Sequence, residues 1–197
     1  MTDAPDFNNL TEQLAAYLRP RRLKHSQNVA ATAYELAQIH APYLADEARL
    51  AGLLHDHAKS LGNKALIAQA ARFDIEITPG ERMSPGLLHG KIAAALLPER
   101  FGIDDPAIRR AIADHVTGRP GMGMLSRILF AADQASADRD FDGVAELRQV
   151  AREDLVRACL LVAKHKLSYT LYKERIIDPV TVEVYNELLR QVNADGR

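Results

Sequence analysis

Apolar positions recur along this chain at helical rather than strand spacing. Thr11 to Leu18 reads as a short helix stopped by Pro20. From Leu23 to about His40 the positions Val29, Ala33, Leu36 and Ala37 form one stripe, with His25 a turn before Val29. Asp46 is an N-cap candidate for a helix carrying Leu50, Leu53 and Leu54 and ending between Asp56 and Ser60. Asn63 is a cap candidate for the next, through Leu66, Ile67 and Ala70. Phe73 to Ile77 alternates weakly, as a strand would, and Pro79-Gly80 marks residues 73–82 as a loop. Ser84-Pro85 opens a helix through Leu88, Ile92 and Leu96; Asp105-Pro106 opens another through Ile108, Ala111 and Ile112 towards His115. The glycines of residues 118–123 demand a loop. Leu125, Ile128, Leu129 and Ala132 form a stripe that ends at Asp133. Beyond Asp142 the pattern gives a short helix, a long one from about Asp154 to Lys173, and a last one opened by Asp178-Pro179. No repeat or linker divides the chain. The expectation is one all-α domain over residues 21–192, with residues 1–20 as an extension and short helix packed on it and 193–197 as a tail.

Composition narrows the chemistry. With 197 residues, 47% hydrophobic and 26% charged, the chain is an ordinary globular composition, and its single cysteine, Cys159, excludes an internal disulfide. Cys159 sits in an apolar run and is expected to be a buried small hydrophobe. A net charge of −1 argues against a nucleic-acid polymer or an anionic membrane as the main partner. No apolar run approaches the roughly 20 residues of a membrane span, and the acidic N-terminus lacks a signal-peptide pattern. A cytoplasmic protein is expected.

The unusual feature is seven histidines in a chain with one cysteine and no tryptophan. His25, His89 and His115 lie on or beside the apolar stripes of separate helices, His55-Asp56 ends another, and Asp133 continues a fifth. Buried histidines and aspartates are costly unless partnered, so these must pair with one another or converge on cations. Imidazole with carboxylate suits iron, zinc, manganese or cobalt. Four histidines and two aspartates exceed one tetrahedral site and match two metals bridged by a carboxylate. His40 and His165 fall outside this pattern and read as helix-surface residues, while His57 points away from His55.

The order His25, His55-Asp56, His89, His115, Asp133 resembles the HD-domain metal-dependent phosphohydrolases, in the subset whose two additional histidines bind a second metal. The segments His55-Asp56-His57-Ala58-Lys59, Leu88-His89-Gly90, His115-Val116-Thr117-Gly118-Arg119-Pro120-Gly121 and Arg139-Asp140-Phe141-Asp142-Gly143-Val144 look like the bacterial YqeK-type family. Its members are symmetrical diadenosine tetraphosphate hydrolases, and the likeness runs from about Arg22 to Asn186. The resemblance implies a helical bundle with a dinuclear metal site in its core. It also implies hydrolysis of diadenosine tetraphosphate to two ADP by a metal-bridging water or hydroxide, with iron as the metal. Asp56 is then the bridging ligand, and His25, His55, His89, His115 and Asp133 complete the set. Lys59, one turn beyond Asp56, is expected to act in catalysis and on phosphate. Thr117, Gly118 and Arg119, in the glycine-rich loop after His115, and Arg139 are expected to bind substrate. The partner is a dinucleoside polyphosphate and the protein a monomer or homodimer.

Three departures bear on the substrate. Gln134-Ala135-Ser136-Ala137 follows Asp133 where the family has an aromatic or apolar residue and then Glu-Pro; Leu23 replaces an aromatic residue; and His57 replaces a bulkier apolar one. No ligand position is lost. The alternatives are an HD-domain phosphohydrolase of another nucleotide and a mixed-valence di-iron oxygenase.

Overall fold

Asp6 opens the first helix, its carboxylate accepting the Asn8 and Asn9 backbone N–H groups, so α1 (Phe7–Ala15) begins one turn earlier than its apolar pattern suggests. The Thr11 hydroxyl bonds back to the Phe7 carbonyl instead of capping. In the computed structural model, which describes residues 5–194, ten further α-helices follow, and no strand occurs among the described residues. They are α2 (Pro20–His40), α3 (Ala45–Leu54), α4 (Asn63–Arg72), α5 (Pro79–Met83), α6 (His89–Phe101), α7 (Pro106–Asp114), α8 (Met124–Ala135), α9 (Val144–Glu153), α10 (Leu155–Tyr172) and α11 (Pro179–Ala194). None is long and apolar enough to cross a membrane.

Five local expectations are corrected. Phe73 to Ile77 forms no strand: Ile75 donates to the Ala70 carbonyl and Asp74 turns through positive φ, so the alternation follows a helix end. Residues 79–83 are helix α5 rather than loop, because Thr78 and Glu81 form a reciprocal capping box. Ser84-Pro85 opens a 3-10 turn over Pro85–Leu88, and α6 begins only at His89. Helix α3 stops at Leu54, and residues 55–60 continue as successive tight turns, with Lys59 donating to the Asp56 carbonyl. Asp46 and Asn63 lie in the first turns of their helices rather than at the caps.

The bundle is organised around α2, which packs along α3 and α8, while α7 crosses both α3 and α8. Phe130, Leu54, Ile112, Ile128 and Leu129 fill the interior with almost no exposure. Gly52 permits the α2–α3 approach: a Cβ there would meet the Ala30 Cα at 2.8 Å. That crossing carries His25 on α2 towards the end of α3, where His55 and Asp56 lie. Asp154 caps α10, which packs on α8, α9 and α11 and closes the open side of the bundle.

Candidate metal centre

Each of the six expected ligands comes from a helix or the residues just past its end. His25 sits inside α2 and Asp133 inside α8; His55 and Asp56 follow α3, His89 opens α6, and His115 follows α7. All six are buried. Three of the histidines are fixed in the same way. His55 Nδ1–H donates to the Gly52 carbonyl at 2.7 Å, His89 to Gly86 at 2.6 Å and His115 to Ile112 at 2.7 Å. A carbonyl only accepts, so each Nδ1 carries the hydrogen and each neutral ring offers a bare Nε2. His25 Nδ1 instead meets Asp138 Oδ2 at 2.8 Å, the carboxylate–histidine pairing that commonly backs a metal ligand.

The free nitrogens converge. His25 Nε2 lies 3.1 Å from Asp133 Oδ1, and His55 Nε2 lies 3.6 Å from Asp56 Oδ2 and 3.9 Å from Asp133 Oδ1. On the other side of Asp56, Oδ1 faces His89 Nε2 at 3.2 Å and His115 Nε2 at 3.6 Å. Asp56 therefore turns one oxygen to His55 and the other to the His89–His115 pair. Candidate ligand atoms of His25, His55 and Asp133 lie within 4.8 Å of one another, as do those of His55, Asp56 and His115.

Protonation states suit cation binding. Burial pushes the His55 imidazole from 6.5 down to about 4, against the pull of the nearby carboxylates, and lowers His89 and His115 as well. Burial alone would raise Asp56, but His55, His115 and His89 outweigh it and hold the carboxyl well below its usual range. Asp133 is held low likewise, by His25, Arg139 and His55 against burial. Ionised carboxylates beside neutral imidazoles form the ligand set that a hard or borderline divalent ion requires.

Two observations test the fit to cations directly. His55 Nε2 is buried with no hydrogen-bond partner, an expense that a ligand role explains. His89 Nε2 and His115 Nε2 face each other at 3.1 Å, two lone pairs with no ring hydrogen between them. The chain brings its own positive charges to these atoms. Lys59 Nζ lies 3.1 Å from His89 Nε2, Arg22 donates to Asp56 Oδ2 at 2.9 Å, and Arg139 pairs with Asp133 Oδ1. The residues present fit divalent cations.

A cleft of about 780 Å³ opens over this cluster, lined by His25, Gln134, Asp138 and Arg139 together with residues of α2 and α10. Arg19, Arg21, Arg22, Arg139 and Lys166 set five cationic side chains around it against two carboxylates. Thr117, Gly118 and Arg119 lie elsewhere, on a second cavity of about 650 Å³. There Arg119 meets Asp114 at 3.3 Å and donates to the Pro120 carbonyl, and Gly118 takes φ +73° as its loop closes on Val184. A smaller cavity lined by Val116, Thr117, Lys166 and Tyr169 shares residues with both.

The family model for the HD domain matches residues 22–138. The chain belongs to the HD-domain family. That span of the HD domain contains every one of the six clustered residues, from His25 to Asp133. A symmetrical bis(5'-nucleosyl)-tetraphosphatase of Halalkalibacterium halodurans is 34% identical over 178 residues, covering 88% of this chain and 91% of that protein. The protein of the same name from Bacillus subtilis is 32% identical over 176 residues, covering 87% and 91%. A crystal structure from Clostridium acetobutylicum, described as a predicted HD superfamily hydrolase involved in NAD metabolism, superposes with a TM-score of 0.88. It is 34% identical and covers 95% of this chain and 98% of its own.

Several features of this HD domain escape the sequence pattern. Arg22 and Asp138 touch two of the expected ligands, Asp56 and His25, from 34 and 113 positions away, and only Arg22's position one turn before His25 hints at its role. Lys166 is enclosed, with Nζ donating to the His115 and Val116 carbonyls, and burial lowers it to about 8. His165 is no simple surface residue: its ring stacks on Phe141 on the cleft wall. His40 donates to the Ala151 carbonyl at 2.7 Å, tying α2 to α9. His57 does point away from the cluster, donating to the Ala93 carbonyl and accepting from Arg100. Cys159 is buried, as its apolar setting requires.

Proposed function

We propose that this chain hydrolyses diadenosine tetraphosphate symmetrically to two ADP, using two divalent cations held by His25, His55, Asp56, His89, His115 and Asp133. The observation that carries the reading is the convergence of four imidazole nitrogens on two ionised carboxylates, three of them with the opposite ring nitrogen tied to a backbone carbonyl. The names of the similar proteins supply the substrate. We assign iron as the metal and the cytoplasm as the location, and the same ligand set accepts manganese.

Divalent cations bound there supply Lewis acidity at the phosphoryl oxygens and an acidified water. The protein's own groups do the rest. Asp56, with an oxygen towards each half of the cluster, would help to hold a cation on either side. The carbonyls of Gly52, Gly86 and Ile112 hold the histidine rings in the ligating tautomer, so no proton has to be moved before a cation binds. Lys59, beside His89, stabilises charge on the attacked phosphate. Arg139 and Arg22, which pair with Asp133 and Asp56, would grip phosphate oxygens where those carboxylates hold cations. The other nucleotide half extends towards Thr117, Gly118 and Arg119, whose cavity adjoins the cleft past Lys166. Two identical products follow when the bond between the second and third phosphates lies over the cluster.

The test is nucleotide analysis after anaerobic incubation with Fe(II) or Mn(II). ADP as the sole product, lost in Asp56→Ala and His55→Ala, supports the reading; AMP with ATP, or intact substrate, refutes it.

A further inference from the structure

One wall of the cleft carries three aromatic rings that the ligand cluster does not use. Phe141 and His165 stack with ring centroids 4.0 Å apart and planes inclined by 23°. Tyr169, one helical turn along α10, is near-parallel to His165 at 25°, with centroids 6.5 Å apart. The first step is closed by ring-on-ring contact. The second is the looser of the two, so the Tyr169 ring is not covered by a tight stack as His165 is. Burial, with the charges of Lys166 and Arg139, lowers the His165 pKa, so the ring stacks as a neutral imidazole. Tyr169 is 47% exposed, a large aromatic surface left open beside the cationic cleft.

We propose that a purine base of the substrate stacks on the exposed Tyr169 ring beside His165, with Phe141 backing His165, while its phosphates run to Arg139 on the same cleft. The proposal rests on reading the cleft as a nucleotide site, but not on hydrolysis. Stacking engages the face of a base and supplies binding rather than chemistry, so these rings are base-binding residues and take no part in the bond cleavage.

Calorimetric titration of the Mn(II)-loaded protein with ADP and with inorganic pyrophosphate separates base from phosphate. Tyr169→Ala and His165→Ala are each expected to weaken ADP about tenfold, the usual scale of one lost stacking contact. Pyrophosphate binding stays unchanged in both, and Tyr169→Phe keeps the wild-type affinity for ADP. Equal loss of ADP and pyrophosphate would reveal a merely structural role and overturn the proposal. So would ADP affinity unchanged in both alanine variants, or no ADP binding by the wild type. Because binding is read without turnover, a failed hydrolysis assay does not bear on this result.

Discussion

Asp138 offers a sharp test of how the proposed centre is built, because it touches His25 without belonging to the cluster. Its Oδ2 meets His25 Nδ1 at 2.8 Å, while Oδ1 accepts from Asn28 at 3.0 Å and Ser136 at 3.1 Å. Burial works against its ionisation, but the hydrogen bonds from Asn28 and His25 prevail and bring the carboxyl down to about 2. A full negative charge therefore backs His25 at neutral pH. Asp138→Asn keeps the shape and an acceptor oxygen but removes that charge, so His25 becomes a weaker base towards a cation. Outer partners of this kind are worth about 10- to 100-fold in metal affinity, or roughly 1.4–2.7 kcal/mol. Its side chain is 35% exposed, so the fold tolerates the exchange. Mn(II) affinity, measured by competition with a chromophoric chelator, should fall within that range, and turnover at saturating metal should return to near wild type. Unchanged affinity in Asp138→Asn, alongside loss of binding in His25→Ala, would refute the reasoning.

Three other outcomes are expected. His57 is almost fully buried, and burial followed by the Arg100 charge takes its pKa from 6.5 to about 3. The unfolded chain binds that proton at higher pH than the folded one, so stability falls as pH falls through this window. His57→Leu should flatten the urea-derived stability of metal-stripped protein by about 1.4 kcal/mol per pH unit between about pH 6 and 4.5; parallel profiles would contradict this. Gly52→Ala forces a Cβ against the Ala30 backbone and should cost about 2–3 kcal/mol, lowering Tm by roughly 5–10 °C; a melting curve unmoved from wild type would refute the close approach. Arg139→Ala should raise KM for the dinucleotide more than Arg119→Ala does, since Arg139 lies on the cleft and Arg119 on the adjoining cavity. If Arg119→Ala leaves KM and kcat both unchanged, Arg119 has no part in binding.

The cluster was legible because its members are chemically unusual for their positions. His25, His89, His115 and Asp133 stand on or beside apolar stripes, where an unpartnered polar group is expensive, and the structure buries all four. The helix start Asp105-Pro106 also read correctly, because cap and proline both act within one turn, whereas Ser84, with no side-chain cap bond, opens only a 3-10 turn. The errors arose where the deciding contact was out of local range or hidden in a short segment. The Phe73–Ile77 alternation has no neighbouring strand to pair with among the described residues, and α5 depends on a capping box within five residues. The side chains that surround the ligands were the least legible. Asp138 meets His25 across 113 positions, and Lys166 reaches His115 across 51, and neither pairing leaves a periodic trace. The cleft wall of Phe141, His165 and Tyr169 exists only because α10 packs beside the segment after α8.

The central claim is that six residues hold two cations which together carry the hydrolysis. It is tested most directly by counting tightly bound Fe(II) or Mn(II) per chain while recording diadenosine tetraphosphate turnover on the same anaerobic samples. The account predicts that activity appears as the content approaches two ions per chain, with ADP as the sole product, and that His89→Ala lowers both together. Full activity with one ion or none, or two bound ions with the dinucleotide left intact, would contradict it.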